Sequence, residues 1–361
     1  MTARAQTDAR HMRRALVLAR RGWGRTAPNP MVGAVVVRDG IVVGEGYHAA
    51  LGSPHAEVGA LQAAGDAARG ATLYVTLEPC VHFGRTPPCT DAIIAAGIAR
   101  VVYAVDDPHP EAGGGGAVLR AAGVTVEGGV EADAARELNA HFLHRFRSDR
   151  TFVTLKLALS LDAAVADHTG VPGWFTGPAA VRAVHHLRAG HDAIAVGSGT
   201  ALTDDPLLTV RGVRRPRVAP TRVVFDRRGR LDAGLRLVQS ASRTPSIIVT
   251  SAAGALRLAP LESAGVRLLV AADLAEALRL LRADGVHSLL CEGGAELAGS
   301  LLGHGLVDRL VIFQAPLLLG QGALGAFGTV PGRALADALR WRIVAHERLG
   351  DDLATTFAPA V

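Results

Sequence analysis

The spacing of apolar positions divides the chain into alternating helical and extended segments. Near the start, Met12, Ala15, Leu16 and Ala19 share one helical face, and Thr7 or Asp8 is placed to cap a helix running to about Arg21. The β-rich runs Met31 to Val37 and Ile41 to Tyr47 flank Arg38-Asp39-Gly40 and predict a hairpin. A helix is expected from Pro54 to Ala64, with proline suiting its first turn, then a strand from Ala71 to Leu77. A helix opening at Pro88, a strand from Arg100 to Val105, a glycine-rich stretch leading into a short helix, and a strand from Val124 to Glu127 follow. A helix over 131–146 closes this half. After a polar join, Arg147 to Thr151, a second pattern begins at Phe152, with strands near 152–159, 192–197, 221–226, 245–250, 266–270, 286–291 and 307–313. Strands alternating with helices predict mixed sheets covered by helices.

The 361 residues suffice for two domains, placed at 1–147 and 151–361. No apolar run reaches the length of a membrane span, and the arginine-bearing N-terminus does not read as a signal peptide. Three cysteines without a disulfide framework suit a reducing cytoplasm. The net charge of +5 raises the question of nucleic acid, but the arginines are scattered and few aromatics lie among them. Phosphorylated small molecules are the better match for such a surface. Of the 38 basic residues only Lys156 is lysine, and it lies in an apolar run from Val153 to Leu159. A lysine retained against that bias marks a position where a guanidinium would fail, unless its survival is chance.

The chemistry is concentrated in His55-Ala56-Glu57, Pro79-Cys80 and Cys89. One imidazole and two thiolates are the ligands of a catalytic zinc with an open fourth position. Zinc lowers the pKa of its bound water to about 7. Glu57, not needed as a ligand, can carry a proton to a departing amine, which gives hydrolytic deamination of an amine-bearing ring. The layout is that of the zinc deaminases, except that eight residues rather than two separate the cysteines. His55 with Glu57, and Cys89, fall at predicted helix starts, where the macrodipole favours anions. The alternative is a structural zinc with His82 as fourth ligand.

Around this set, Ala27-Pro28-Asn29-Pro30-Met31-Val32-Gly33, Gly46-Tyr47-His48 and the run from Leu77 to Cys89, with Gly84-Arg85-Thr86-Pro87-Pro88 inside the widened spacing, carry a resemblance. So does Asp107-Pro108-His109-Pro110. The chain resembles the bifunctional deaminase/reductases of riboflavin biosynthesis over nearly its whole length. That resemblance implies an α/β protein, with an N-terminal cytidine-deaminase-like α/β/α sandwich and a C-terminal dihydrofolate-reductase-like domain. It implies Zn2+ and NADPH as cofactors and a phosphorylated pyrimidine as substrate, deaminated first and then reduced from ribosyl to ribityl. Contacts to the deaminase substrate are implied at Asn29, His48, His82 and Arg85, types suited to a pyrimidine edge and a phosphate. Turn chemistry between prolines is the plain alternative for Asn29, and a solvated loop for Arg85. Val81 and Phe83 depart from positions that are often polar in the family.

In the second half the resemblance rests on the segments Thr154 to Asp162, Trp174-Phe175-Thr176, Gly197 to Thr200, Asp204 to Arg211 and Glu292 to Leu297. It implies NADPH contacts at Ala158, Trp174, Thr200 and Asp204, and along the turn Gly294, Ala295, Glu296, Leu297, Ala298, Gly299 and Ser300. Substrate contacts are implied at Arg188, Leu208, Arg211 and Glu292, with the two arginines suited to phosphate. Lys156 is expected beside the reacting sugar as a catalytic group. Core packing is the alternative for Trp174, surface charge for the arginines, and a buried strand position accounts for Cys291. Two departures stand out: Ala163 where the family has glycine, and Pro172-Gly173 before Trp174. The resemblance also implies a homo-oligomer assembled through the reductase half, with no nucleic-acid or membrane partner. Two other readings compete: a nucleic-acid editing protein using the same zinc chemistry, and a deaminase whose second half only binds or scaffolds.

Overall fold

The computed structural model describes residues 2–83, 87–169, 173 and 175–360, in two compact units, Met1–Arg147 and Ser148–Val361. Among the described residues no helix is long and apolar enough to cross a membrane.

Helix α1 (Ala3–Ala19) starts earlier than its apolar spacing suggested, because Thr2 caps it by accepting from the Ala5 N–H. Neither expected cap is free. The Thr7 hydroxyl donates to the Ala3 carbonyl, and Asp8 takes two 2.8 Å hydrogen bonds from Arg100 and one from the Tyr74 hydroxyl. The Arg100 guanidinium holds the Asp8 carboxyl below its ordinary range.

Strands β1 (Gly33–Arg38) and β2 (Ile41–Tyr47) form the expected hairpin. Asp39 and Gly40 both have positive φ, the backbone a two-residue hairpin turn requires. With β3 (Thr72–Val75), β4 (Arg100–Tyr103) and β5 (Thr125–Gly128) they make a mixed sheet ordered β2-β1-β3-β4-β5. Helices α2 (Ala56–Ala64), α3 (Cys89–Ala95) and α4 (Gly115–Ala121) connect the strands. Pro54 precedes α2 instead of forming its first turn, since His55 is the N-cap. The helix expected over 131–146 is two, α5 (Ala132–Leu138) and α6 (Ala140–His144), broken at Asn139. The core is one apolar cluster between sheet and helices that includes Met12, Leu73, Ile93 and Val101.

The second unit is built on a nine-stranded sheet. Its strands are β6 (Phe152–Leu159), β8 (Ala193–Gly197), β9 (Thr221–Phe225), β10 (Ser246–Thr250), β11 (Val266–Val270), β12 (Ser288–Cys291), β13 (Arg309–Gln314), β15 (Trp341–Leu349) and β16 (Asp352–Pro359). The order is β11-β10-β9-β8-β12-β6-β13-β16-β15, parallel except for the last two, which are antiparallel. β7 (Ala164–Ala166) and β14 (Leu324–Gly325) pair separately. Helices α7 (Pro178–Ala189), α8 (Ser198–Asp204), α9 (Arg236–Gln239), α10 (Ala252–Leu258), α11 (Leu274–Ala283) and α12 (Ala295–Gly303) link the strands. The closing hairpin β15–β16 was not legible as strand because β15, at the sheet edge, is mostly exposed and lacks apolar alternation.

The turn joining β6 to β7 explains one departure. Ala163 has φ +59°, the left-handed region in which glycine is free and a Cβ costs about 1–2 kcal/mol. Its carbonyl still accepts from Ala326 N–H at 3.0 Å, so the turn is kept despite the side chain. Ala163→Gly is expected to stabilise the second unit by about 0.5–1 kcal/mol, the relief less the entropy glycine loses on folding. Urea unfolding of the two proteins compares them directly, and an unchanged or lowered midpoint would show the alanine to be unstrained.

Candidate metal centre and second polar site

α2 carries His55 as N-cap and Glu57 in its first turn, and it lies directly on β2. A Cβ on Gly46 would stand 2.3 Å from the Ala56 carbonyl oxygen, and one on Gly44 2.2 Å from that of Ala60, so only glycine permits this approach. Cys89 is the first residue of α3 and Cys80 follows β3. His55 Nδ1 lies 3.2 Å from Cys89 Sγ and 3.6 Å from Cys80 Sγ, and the three ligand atoms fall within 4.8 Å of one another. The backbone N–H of Cys89 also points at Cys80 Sγ, at 3.5 Å. One imidazole and two buried sulfurs, one of them facing a backbone donor, fit zinc in its thiolate-and-imidazole chemistry.

The protonation pattern agrees. The Cys80 thiol is pushed well below its ordinary range, chiefly by the hydrogen bond from Cys89 and then by His55. Cys89, the donor of that bond and buried, moves up. Burial pushes the Glu57 carboxyl up to about 7, against the pull of His55. Among the described residues the group contains no fourth ligand. His82, the candidate for a structural site, stacks on His109 instead, with ring centroids 6.2 Å apart.

A cavity of about 440 Å3 opens beside this centre, lined among others by Asn29, His48, His55, Glu57, Cys80 and His82. His48 Nδ1 faces the Pro54 carbonyl at 3.2 Å, while its Nε2 is buried without a hydrogen-bond partner. Burial pushes its pKa down, so the ring is neutral. With Nδ1 donating, Nε2 is a lone-pair acceptor. His82 Nδ1 is likewise buried without a partner. Arg85 lies outside the described residues.

Asp107 and His109 also line the cavity, though the sequence reading gave them no role. Their loop is held by Glu78, whose carboxylate accepts from the N–H groups of Asp107, Gly114 and Gly116 at 3.3, 3.2 and 2.8 Å. The signal was present: an acid next to the Pro-Cys ligand pair, with a glycine-rich loop downstream whose amides need an acceptor.

The second unit gathers another polar set at the carboxyl ends of its central parallel strands, where open α/β sheets bind ligands. Lys156 on β6 is buried, with its ammonium 5.9 Å from the centre of the Phe313 ring. Burial lowers its pKa, Glu292 opposes that shift and Arg188 adds to it. Arg188 clamps Glu292 through Nε–Oε1 at 2.5 Å and Nη2–Oε2 at 2.8 Å, and its Nη1 donates to the Thr209 carbonyl at 2.9 Å. Arg188, where the resemblance implied a substrate contact, is thus paired with a carboxylate equally buried. Leu208 is buried at φ +48°, and Arg211 is exposed, with its N–H facing His185 Nδ1 at 3.2 Å. His185 was not singled out from sequence.

Thr200 and Gly294 meet directly, the Gly294 N–H donating to the Thr200 hydroxyl at 3.0 Å. The α12 N-terminus has no side-chain cap, leaving its first-turn amides suited to an anion. Ala295, Glu296 and Ser300 remain partly or wholly exposed, as do Ala158 and Asp204. Leu297 and Ala298 belong to the core, and Gly299 packs so tightly on Thr329 that a Cβ would come within 1.8 Å of its hydroxyl. Their side chains therefore face the protein. Trp174 and Pro172 lie outside the described residues.

Two family profiles match the chain: the cytidine and deoxycytidylate deaminase zinc-binding region over residues 5–105, and the RibD C-terminal domain over 151–355. The chain is 41% identical to the riboflavin biosynthesis protein RibD of Aquifex aeolicus over 98% of each chain. It is 42% identical to that of Escherichia coli over 96% of this chain and 98% of the other. A Thermotoga maritima crystal structure, described as a diaminohydroxyphosphoribosylaminopyrimidine deaminase/5-amino-6-(5-phosphoribosylamino)uracil reductase, superposes with a TM-score of 0.85 at 35% identity, covering 99% of this chain and 100% of that one. Acinetobacter baumannii RibD gives the same TM-score at 37% identity, with the same coverage.

The three-ligand geometry has a direct consequence for metal content. Cys89→Ser is expected to reduce bound zinc from about one per chain to below about a tenth, because the ligand set is left with two members. Atomic emission on dialysed protein measures this, and full retention of zinc would contradict the ligand assignment.

Proposed function

The chain belongs to the family of bifunctional riboflavin biosynthesis deaminase/reductases, and from that premise we propose how its own residues divide the two reactions. The first unit deaminates a diaminopyrimidinone ribosylamine 5′-phosphate, and the second reduces the ribosyl group of the product to ribityl with NADPH. The observation that carries the first assignment is a buried Glu57 beside His55, Cys80 and Cys89, in the wall of a cavity that also presents Asn29, His48 and His82.

His55, Cys80 and Cys89 would hold zinc, which when bound would activate water as a nucleophile at neutral pH. Glu57, with a carboxyl near 7, can hold or release a proton under working conditions. It takes the proton of the attacking water and delivers it to the leaving amine, so that water and the ring C–NH2 become a ring carbonyl and ammonia. The neutral His48 offers Nε2 to a ring N–H, and the Asn29 amide can serve a pyrimidine edge as donor and acceptor together. His82 and Arg85 complete the substrate contacts.

In the second unit NADPH, when bound, would supply the hydride. Thr200, Ala158, Trp174, Asp204 and the turn from Gly294 to Ser300 would hold the cofactor, chiefly through the amides at the start of α12. Lys156 stands by the sugar, where its charge stabilises oxygen at the reacting end. Arg188, Leu208, Arg211 and Glu292 shape the substrate pocket, with the two arginines suited to phosphate and Arg188 held by Glu292. Three free thiols fit a cytoplasmic setting, and the protein assembles through its second unit.

Supplying the pyrimidine phosphate with and without NADPH tests the division of labour. Ammonia should appear in both cases, and NADPH oxidation should require prior deamination. NADPH oxidation without ammonia release, or none at all, would defeat the proposal. Glu57→Gln should cut ammonia release by about 10³-fold while leaving zinc bound and the already deaminated substrate still reduced. Lys156→Arg should lower reductase turnover by at least about tenfold, since a guanidinium cannot occupy the compact, desolvated ammonium position. Steady-state kinetics that match the parent protein would remove Lys156 from the mechanism.

A further inference from the structure

The strap that carries Asn29 is gripped from the far end of its own unit. Asn139, buried at the break between α5 and α6, spends its whole amide on one residue. Its Oδ1 accepts from the Met31 N–H at 2.8 Å and its Nδ2 donates to the Met31 carbonyl at 2.9 Å. Arg145, just past α6, donates from Nη1 to the Pro28 carbonyl at 2.7 Å. The two grips fall on either side of Asn29, and Phe142, between them on α6, lines the same cavity as Pro28, Asn29 and Pro30.

Composition supports a specific requirement here. Asn29 and Asn139 are the only asparagines in 361 residues. At position 139 one group must donate and accept across the backbone N–H and C=O of a single residue, which an amide does and a carboxylate does not. An aspartate would set a carboxylate oxygen against the Met31 carbonyl. The same amide also accounts for the helix break, because Asn139 leaves helical geometry (φ −108°, ψ 26°) at the residue whose side chain reaches the strap.

We infer that Asn139, assisted by Arg145, is a positioning residue for pyrimidine recognition: it fixes the 28–31 strap so that the Asn29 amide meets the ring edge. The inference rests on the reading of Asn29 as a substrate contact. Asn139 does not touch the reacting atoms, so its loss should act on binding through Asn29 and leave the zinc set and Glu57 in place.

The test is a double-mutant cycle in the full-length zinc protein, using Asn29→Ala, Asn139→Ala and the pair, with KM and kcat from ammonia release and zinc content for each. Asn139→Ala should raise KM about tenfold, with kcat within about threefold and zinc retained. The pair should be no worse than Asn29→Ala alone, since a residue acting through another adds nothing once the other is gone. An unchanged KM in Asn139→Ala, or a double mutant in which the two effects multiply, overturns the inference while leaving Asn29 in the site. An unchanged KM in Asn29→Ala overturns the reading of Asn29, and the inference with it. If Asn139→Ala does not fold, Arg145→Met carries the same test from the surface. It should raise KM about threefold in the parent protein and not at all in the Asn29→Ala background, and any other pattern counts against the inference.

Discussion

The deaminase centre depends on helices that touch the sheet backbone to backbone. α2 presses its Ala56 and Ala60 carbonyls onto Gly46 and Gly44, and the α4 start presses Gly115 onto the Pro79 carbonyl, where a Cβ would stand only 1.8 Å away. A side chain at any of these points would push a helix or the ligand loop outward by about an ångström, given ordinary contacts near 3.5–4 Å. Metal–ligand distances tolerate about 0.2 Å. The glycines thus set the relative positions of His55, Glu57 and Cys80 more tightly than the ligands' own rotamers could, and the apolar core beneath holds them there.

Burial alone does not determine what a carboxylate does in this protein. Glu57 and Glu292 are both deeply placed, yet their shifts are opposite: Glu57 moves up to about 7, and Glu292 is held below its ordinary value. The difference is Arg188, whose two-point clamp offsets the desolvation of Glu292 and keeps it ionised. Glu57 has only weaker pulls, His55 foremost, against its desolvation, which leaves a proton exchangeable near neutrality. One environment makes a proton carrier and the other a fixed negative charge beside Lys156.

Outside the reacting groups lies a layer of residues that hold loops by their amides and carbonyls. Glu78 gathers three N–H groups of the loop that brings Asp107 and His109 to the cavity, and Asn139 pairs with both backbone groups of Met31. This layer was hardly legible in the sequence. A holding residue is recognised by its partner, and the partner of Asn139 is 108 residues away. The Asp8 cap failed for the same reason, because Arg100 claims its carboxylate from 92 residues along the chain.

What the sequence determined by itself was local chemistry. The ligand types, the placing of His55 and Cys89 at helix starts, the Asp39-Gly40 turn and the alternating elements all follow from residues a few positions apart, where periodicity and capping act. The identity of the lone lysine was equally plain. The tertiary structure decided matters of pairing: that the metal set stops at three described ligands, that Arg188 pairs with Glu292, that His82 stacks on His109, and that β15 and β16 close the sheet. Those outcomes turn on which groups meet across the fold, and desolvation makes each meeting count for more than any preference written along the chain.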